Sequence, residues 1–353
     1  MISLVLGLLT SKFHHEQMYY TEIAKRARLY HNVVAQFTPF SIDSKTDLVS
    51  GLIYDTDTGN WIDQTFPIPS YIYDRCHFKE DKEFQQAKSI IHSLHKRSST
   101  TFLNNTLINP SDLHNLFLTN KRLSPYIPKI KKGTVQGIFK LLLETRDIII
   151  RPINIHSNEN LYRVTYQHKT FHIDTINEQH RTSTQFKRTD DFISWCQSNI
   201  HSSRYMIHPM LHPPNQLSYP IHIRTIMQKN KEQNWVVLGQ FIQKASFPAQ
   251  FLLSVTERSM LHPFSKIKYL LSSTGVQLLK DALHDVVNEV FKTLDQSYSS
   301  LFELELSTIM DQKGAIWLMY VNTMPSYEVY TRYNDELAEQ IFHGPLKFSR
   351  FTP

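Results

Sequence analysis

Over roughly the first hundred residues, strand-length apolar runs alternate with segments whose apolar residues recur at helical spacing. That alternation restricts the chain to layered α/β architectures. Residues 2–9 read as a strand, and 16–30 as a helix carrying Met18, Ile23, Ala27 and Tyr30. Strands follow at 33–40 and 50–54, the second closed by the turn-forming Asp55-Thr56-Asp57-Thr58-Gly59. Pro67 and Pro69 exclude a helix and lead into a strand at 71–73, and 82–97 is again helical, with Phe84, Ala87, Ile90, Ile91 and Leu94 on one face. The expected N-terminal layer is parallel and Rossmann-like.

Further along, 147–150, 160–166 and 170–173 predict a small antiparallel sheet, and Asp190 is placed to cap a helix carrying Phe192, Ile193, Trp195 and Cys196. Longer strands are predicted at 221–227 and 235–241. A helix at 276–294 has Leu279, Leu283, Val286, Val287, Val290 and Leu294 along one side. Segments 302–310 and 315–321 pair across a turn at Gly314.

Glycine use narrows the chemistry. There are 9 glycines in 353 residues, against an ordinary ~7%, and none is adjacent to or one residue from another. A G-x-G-x-x-G dinucleotide fingerprint and a G-x-x-x-x-G-K-[ST] phosphate loop are both excluded. Cys76 and Cys196 form no CxxC pattern, which argues against a disulfide framework and a zinc knuckle. The 18 histidines are scattered: His92 and His95 have no third ligand beside them, and Pro209 between His208 and His212 spoils helical spacing. The net charge of +6 comes from 38 basic and 32 acidic residues, interleaved. The densest basic stretch is only Lys129, Lys131 and Lys132, so a nucleic-acid partner is not expected. The apolar start at 2–9 lacks a basic flank and is too short to span a membrane, and no later run is long enough; a soluble, cytoplasmic protein is expected.

Several phrases occur in the order found in the YheC/YheD family of endospore coat-associated, ATP-grasp-like proteins. Trp61, Phe66-Pro67-Ile68-Pro69 and Tyr73-Asp74-Arg75 resemble its early tryptophan, proline-rich and tyrosine-x-arginine sequence. Asn120-Lys121-Arg122 with Leu123-Ser124-Pro125 follows, and Ile150-Arg151-Pro152 stands where the family has lysine-proline. Arg224 through Gln228-Lys229 and Trp235 through Gly239 are similar to its paired-strand phrase. Asp311 through Gly314, Trp317-Leu318 and Val321-Asn322 with Pro325 are similar to its closing "D-x-x-G-x-x-W-L-x-E-V-N-x-K-P".

The resemblance implies an ATP-grasp-like module after an α/β layer. The corresponding divisions are 1–110, then 111–340 with a small lid at about 145–215, then a C-terminal tail at 341–353. It also implies chemistry that this chain departs from. A glycine-rich loop should follow the lysine-proline strand, because only glycine lets backbone approach phosphate closely. Residues 153–160 contain Asn154, Asn158, Glu159 and Asn160 but no glycine. The glutamate of the E-x-N metal motif is Tyr320, the aspartate of the upstream "E-L-G-x-D" phrase is Ser307, and the acid before the arginine strand is His222. A neutral phenol is a poor ligand for magnesium, which wants hard oxygens. Lys121, Arg151, Arg224 and Asn322 remain as residual nucleotide- or anion-binding positions.

The expected function is therefore that of a non-catalytic ATP-grasp relative acting in sporulation with spore coat proteins, with no cofactor beyond weak ATP or magnesium. The alternative is an ATP-dependent carboxylate–amine or carboxylate–thiol ligase with a rearranged metal site built from Asn322 with Glu303 or Glu305. The closing segment mixes Tyr330, Tyr333, Phe342, Phe348 and Phe351 with Arg332, Lys347 and Arg350. It reads equally as a partner surface or as core packing.

Overall fold

The computed structural model describes residues 4–78, 81–153, 160–176, 181–214, 221–244 and 260–351. They form three sheets that follow one another along the chain. The first contains β1 (Leu4–Thr10), β2 (Asn32–Phe37), β3 (Ile42–Asp43), β4 (Leu48–Asp55), β5 (Asn60–Pro67), β6 (Tyr71–Arg75) and β7 (Thr101–Leu103). The expected parallel order holds only for β2-β1-β6-β7; β4 joins β2 antiparallel, and β3 and β5 join β4. β5 was not foreseen, because most of its residues are exposed and give no apolar pattern.

Alternation along β1 sends its side chains to two cores. Leu6 and Leu8 meet Tyr19, Tyr20, Ile23 and Ala24 of α1 (Gln17–Lys25), whereas Leu9 meets Ala87, Ile91 and Leu94 of α2 (Asp81–His95). The helix expected over 16–30 is α1 followed by a separate 3-10 turn at Ala27–Tyr30. The strand expected over 33–40 stops at Phe37, because Pro39 starts another tight turn and has no N–H for a ladder.

After α3 (Pro110–Thr119), a second sheet is ordered β12-β11-β10-β9-β13-β8 and is antiparallel throughout. Its strands are β8 (Lys131–Lys132), β9 (Asp147–Pro152), β10 (Leu161–Gln167), β11 (Thr170–Ile176), β12 (Arg181–Phe186) and β13 (Tyr205–Pro209). One face packs on α4 (Val135–Thr145) and α5 (Thr189–Asn199), through Ile138, Leu142, Phe192 and Cys196 against Ile148, Val164 and Ile207. Asp190 does not cap α5: the cap position is Arg188, which makes no side-chain cap bond, and Asp190 sits in the first turn. There its charge suits the helix dipole. The anticipated glycine-free loop is mostly outside the described residues, at 154–159.

The third sheet, ordered β16-β15-β14-β17-β18, is antiparallel. It comprises β14 (Ile221–Lys229), β15 (Trp235–Lys244), β16 (Leu261–Pro263), β17 (Glu303–Met310) and β18 (Ile316–Asn322). The hairpin between β17 and β18 turns at Gly314, whose φ of 80° favours glycine. The apolar side of α6 (Ser273–Ser297) and part of α3 cover one face. The other face carries His222, Arg224, Gln228, Glu303, Glu305, Ser307 and Asn322, all buried.

α7 (Glu328–Thr331) and α8 (Asp335–Phe351) then return to the first sheet. Leu337, Ile341, Phe342, Leu346 and Phe348 share one core with Leu6, Tyr20 and Ile23, and also with Ile226, Phe241 and Phe302. The segment expected as a tail from 341 therefore lies in this helix as far as Phe351. Gly344 permits the close approach, since a Cβ there would lie 2.1 Å from Gln228 Oε1. Among the described residues no helix is long and apolar enough to cross a membrane.

Candidate functional site

The polar face of the third sheet is built by register. Arg224 lies opposite Ser307 on β17, Ser307 opposite Tyr320 on β18, and Glu305 opposite Asn322. Residues directly opposite each other on neighbouring strands share a face, so these side chains form one connected patch. Arg224 donates through Nε to Gln243 Oε1 at 2.7 Å and through Nη1 to Glu305 Oε1 at 3.0 Å. His222 Nδ1 and Ser307 Oγ are 2.8 Å apart. Asn322 Oδ1 accepts from the Met324 N–H at 3.0 Å.

Electrostatics within the patch follow from burial. Burial pushes the Glu305 carboxyl above the ordinary value, while Arg224, Tyr330 and Asn322 oppose the rise. The Tyr330 phenol approaches that carboxyl without closing a hydrogen bond of good geometry. Burial, with Arg224 nearby, holds His222 well below the usual imidazole value. Tyr320 is raised by burial and by Glu305, so it stays a neutral phenol. Arg224 and Asn322 thus converge on Glu305, where the guanidinium already has its counter-charge.

Glu303 lies two residues before Glu305 on β17 but belongs to a different network. Its carboxylate accepts from Arg75 Nη1 at 2.6 Å, from Asn104 Nδ2 at 2.7 Å and from the Tyr73 hydroxyl. Arg75, also fully buried, donates through Nη2 to both oxygens of Glu16, at 2.6 and 2.7 Å, and to the Pro325 carbonyl at 3.1 Å. The ligand set of Asn322 with Glu303 or Glu305 is therefore divided between two ion pairs. Among the described residues, no three His, Cys, Asp or Glu side chains are grouped to hold a metal ion. Among the described residues, Glu303 and Glu305, the two carboxylates nearest Asn322 in that set, are each taken up by a guanidinium. Sequence reasoning noted Arg75 and Glu303 only as parts of separate phrases; that each phrase supplies half of one ion pair needs the fold.

Arg151 is elsewhere, on β9 of the second sheet, opposite Met206 of β13. Its side chain is 5% exposed, and its guanidinium makes no hydrogen bond or ion pair among the described residues. Burial lowers it to about 10, opposed by Tyr320. It lines a cavity of about 50 Å³ with His114, Phe117, Leu318 and Tyr320. His114 is lowered by burial and then by Arg151, and its Nε2 has no hydrogen-bond partner. His208, wholly buried, is brought down to about 3 by burial and Arg151, and its Nδ1–H donates to the Pro209 carbonyl at 2.9 Å.

Lys121 is exposed in the turn after α3 and makes no polar contact among the described residues. The turn is anchored by Asn120, which donates to Glu289 and Thr293 of α6 at 3.2 and 2.7 Å. The structure therefore joins Arg224 with Asn322, brings Tyr320 between them and Arg151, and leaves Lys121 apart. Between the second and third sheets, Ile149, Leu161 and Met210 pack on Ile309 and Met319, flanked by Trp317 and Tyr320.

Comparison with known proteins gives this arrangement a family. The chain is 28% identical over 350 residues to the endospore coat-associated protein YheC of Bacillus subtilis (strain 168), covering 98% of this chain and 94% of that protein. Its fold is similar to that of the ATP-grasp ligase PsnB complexed with minimal precursor, with TM-score 0.51, 10% identity, 96% of this chain and 100% of that one. D-alanyl-alanine synthetase A from Vibrio cholerae O1 biovar eltor str. N16961 is similar at TM-score 0.50 and 11% identity, over 98% and 99% of the two chains. The model of the YheC/D like ATP-grasp family matches residues 99–351. The chain belongs to the YheC/D-like ATP-grasp family.

Proposed function

We propose that this chain is a non-catalytic ATP-grasp protein that acts in sporulation, in the cytoplasm and at the developing spore coat, in association with coat proteins. The observation that carries the reading is the apolar packing between the second sheet, the lid, and the third. An ATP-grasp module holds nucleotide between those sheets, and here Ile149, Leu161 and Met210 pack against Ile309 and Met319 across part of that space, leaving beside Arg151 a cavity of about 50 Å³. The polar patch beside it supports the same conclusion. Glu305 and Arg224 neutralise each other at 3.0 Å, Glu303 is held by Arg75, and Tyr320 offers a phenol in place of a carboxylate. Lys121, Arg151, Arg224 and Asn322 are remnants of an anion site, not a working set.

The test is a titration of the purified protein with ATP, with and without magnesium, reading heat and melting temperature together. Weak or absent binding, unchanged by magnesium, is expected. Tight magnesium-dependent binding would overturn the reading. A fluorescent fusion followed through sporulation tests the location: a variant that removes the buried pair whole, Arg224→Met with Glu305→Leu and Asn322→Ala, should reach the spore as the parent does.

One observation favours a second reading, an ATP-dependent carboxylate–amine or carboxylate–thiol ligase. Among the described residues the Arg151 guanidinium is buried without a counter-charge, as a group awaiting a bound anion would be. ADP formation on incubation with carboxylates and amines or thiols would support it.

A further inference from the structure

Arg151 carries an unusual energetic burden. A buried ion that lacks a partner costs several kcal/mol even after relaxation, and buried charges are ordinarily paired or coordinated. Lowering to about 10 leaves the side chain cationic at neutral pH. Elsewhere in the molecule, Arg75 and Arg224, both wholly buried, have carboxylates at 2.6 and 3.0 Å. Among the described residues Arg151 has instead a cavity.

Size and lining limit what that cavity can take. Its volume is about 50 Å³; a single water needs roughly 10–15 Å³, and pockets for nucleotide-sized ligands run to about 300–1,000 Å³. The ligand therefore has only a few heavy atoms. Its apolar walls include Leu113, Phe117, Met206 and Leu318; besides Arg151 its polar walls are Tyr320 and His114, whose Nε2 lacks a partner among the described residues. Such walls solvate a short alkyl group well and a doubly charged ion poorly.

We propose that Arg151 and His114 form a binding site for a small oxyanion, a short-chain monocarboxylate of the size of acetate or propionate. The guanidinium fork receives both carboxylate oxygens in the paired geometry that arginine favours over lysine. His114 Nε2, in the tautomer that carries its proton there, donates to one of them. The alkyl group rests on Leu113 and Phe117. This rests on the reading that the lid no longer closes over a nucleotide, because the same guanidinium cannot serve both ligands.

The experiment titrates the full chain with sodium acetate, sodium propionate and potassium phosphate at constant ionic strength, and separately with Mg-ATP. Saturating acetate or propionate should raise the melting temperature by about 2–4 °C. Arg151→Met should abolish that rise while melting no lower than the parent without ligand, since it removes an unpaired buried charge. If Arg151→Met does not fold, Leu318→Phe must abolish the response by itself, because it shrinks the cavity and keeps the guanidinium. No response to the carboxylates, or an equal response in Arg151→Met, overturns the site. A response to phosphate alone overturns the ligand class. Tight Mg-ATP binding that depends on Arg151 overturns instead the non-catalytic reading on which the site rests.

Discussion

The guanidinium of Arg75 and the carboxylate of Glu303 meet at 2.6 Å with neither side chain exposed, joining the first sheet to the third. Their phrases stand 228 residues apart in the chain. Because Glu16 holds the other edge of Arg75, removing the arginine strands the buried Glu303 carboxylate and the partly buried one of Glu16. Arg75→Met should lower stability by about 3–5 kcal/mol in urea unfolding. Adding Glu303→Leu and Glu16→Gln should restore much of that loss. Failure of the triple variant to recover would mean that the arginine acts through packing on Tyr19, Tyr73 and Tyr327.

Buried histidines should make the protein acid-sensitive before most carboxylates titrate. Burial and Arg151 bring His208 to about 3, and burial and Arg224 bring His222 well below 6.5. Both groups are depressed in the folded chain, so the unfolded chain binds their protons first as pH falls through about 6.5. Stability is fully present above that pH and declines from there towards the folded values. For His208 the loss between pH 7 and 5 is on the order of 1–2 kcal/mol. Urea midpoints measured across that range should fall, and His208→Leu should flatten the slope. A flat profile for the parent would contradict the argument.

Tyr320 and Ser307 face each other across β18 and β17, which makes a reconstruction of the metal end possible. Tyr320→Glu with Ser307→Asp sets two carboxylates opposite each other, with Cβ atoms about 4.5–5.5 Å apart. Without metal the variant should melt below the parent, because like charges are forced together in a buried place. Magnesium should restore the melting temperature of the variant and leave the parent unchanged. Equal melting in EDTA and in magnesium would show that this end of the sheet has no room for a cation.

Phe348 belongs to the core. Its ring is 7% exposed and meets Phe302 edge-on with centroids 5.3 Å apart. Phe348→Ala should cost about 3–5 kcal/mol, read from chemical denaturation. A variant of ordinary stability that fails to reach the spore would restore the partner-surface reading of this segment.

The legible parts of the sequence were those where one element carries its own pattern. The stripe from Leu279 to Leu294 marks α6 unaided, and the β17–β18 hairpin follows from two strand-length runs either side of a turn at Gly314. α3 had a usable signal, an Asn109 cap before Pro110, whose side chain accepts from the Ser111 N–H. α8 hid behind Gly344-Pro345, a pair that reads as a helix end; packing on two sheets overrides that local preference. Of the site, Arg224 and Asn322 were placed by motif order. What each cation touches was not readable, because Glu305, Glu303 and the empty side of Arg151 are set by strand register and by contacts between sheets.

The return of α8 to the first sheet has a consequence for synthesis. Arg26 reaches Glu339 across 313 residues, and Asn32 reaches Ser349 across 317. At translation rates of about 5–20 residues per second, the apolar side of β1 and α1 waits roughly 15–60 s for its covering helix to emerge. Until then Leu6, Tyr20 and Ile23 lack part of their core. A truncation before Asp335 therefore opens the core around β1 and α1, far from the cut in sequence.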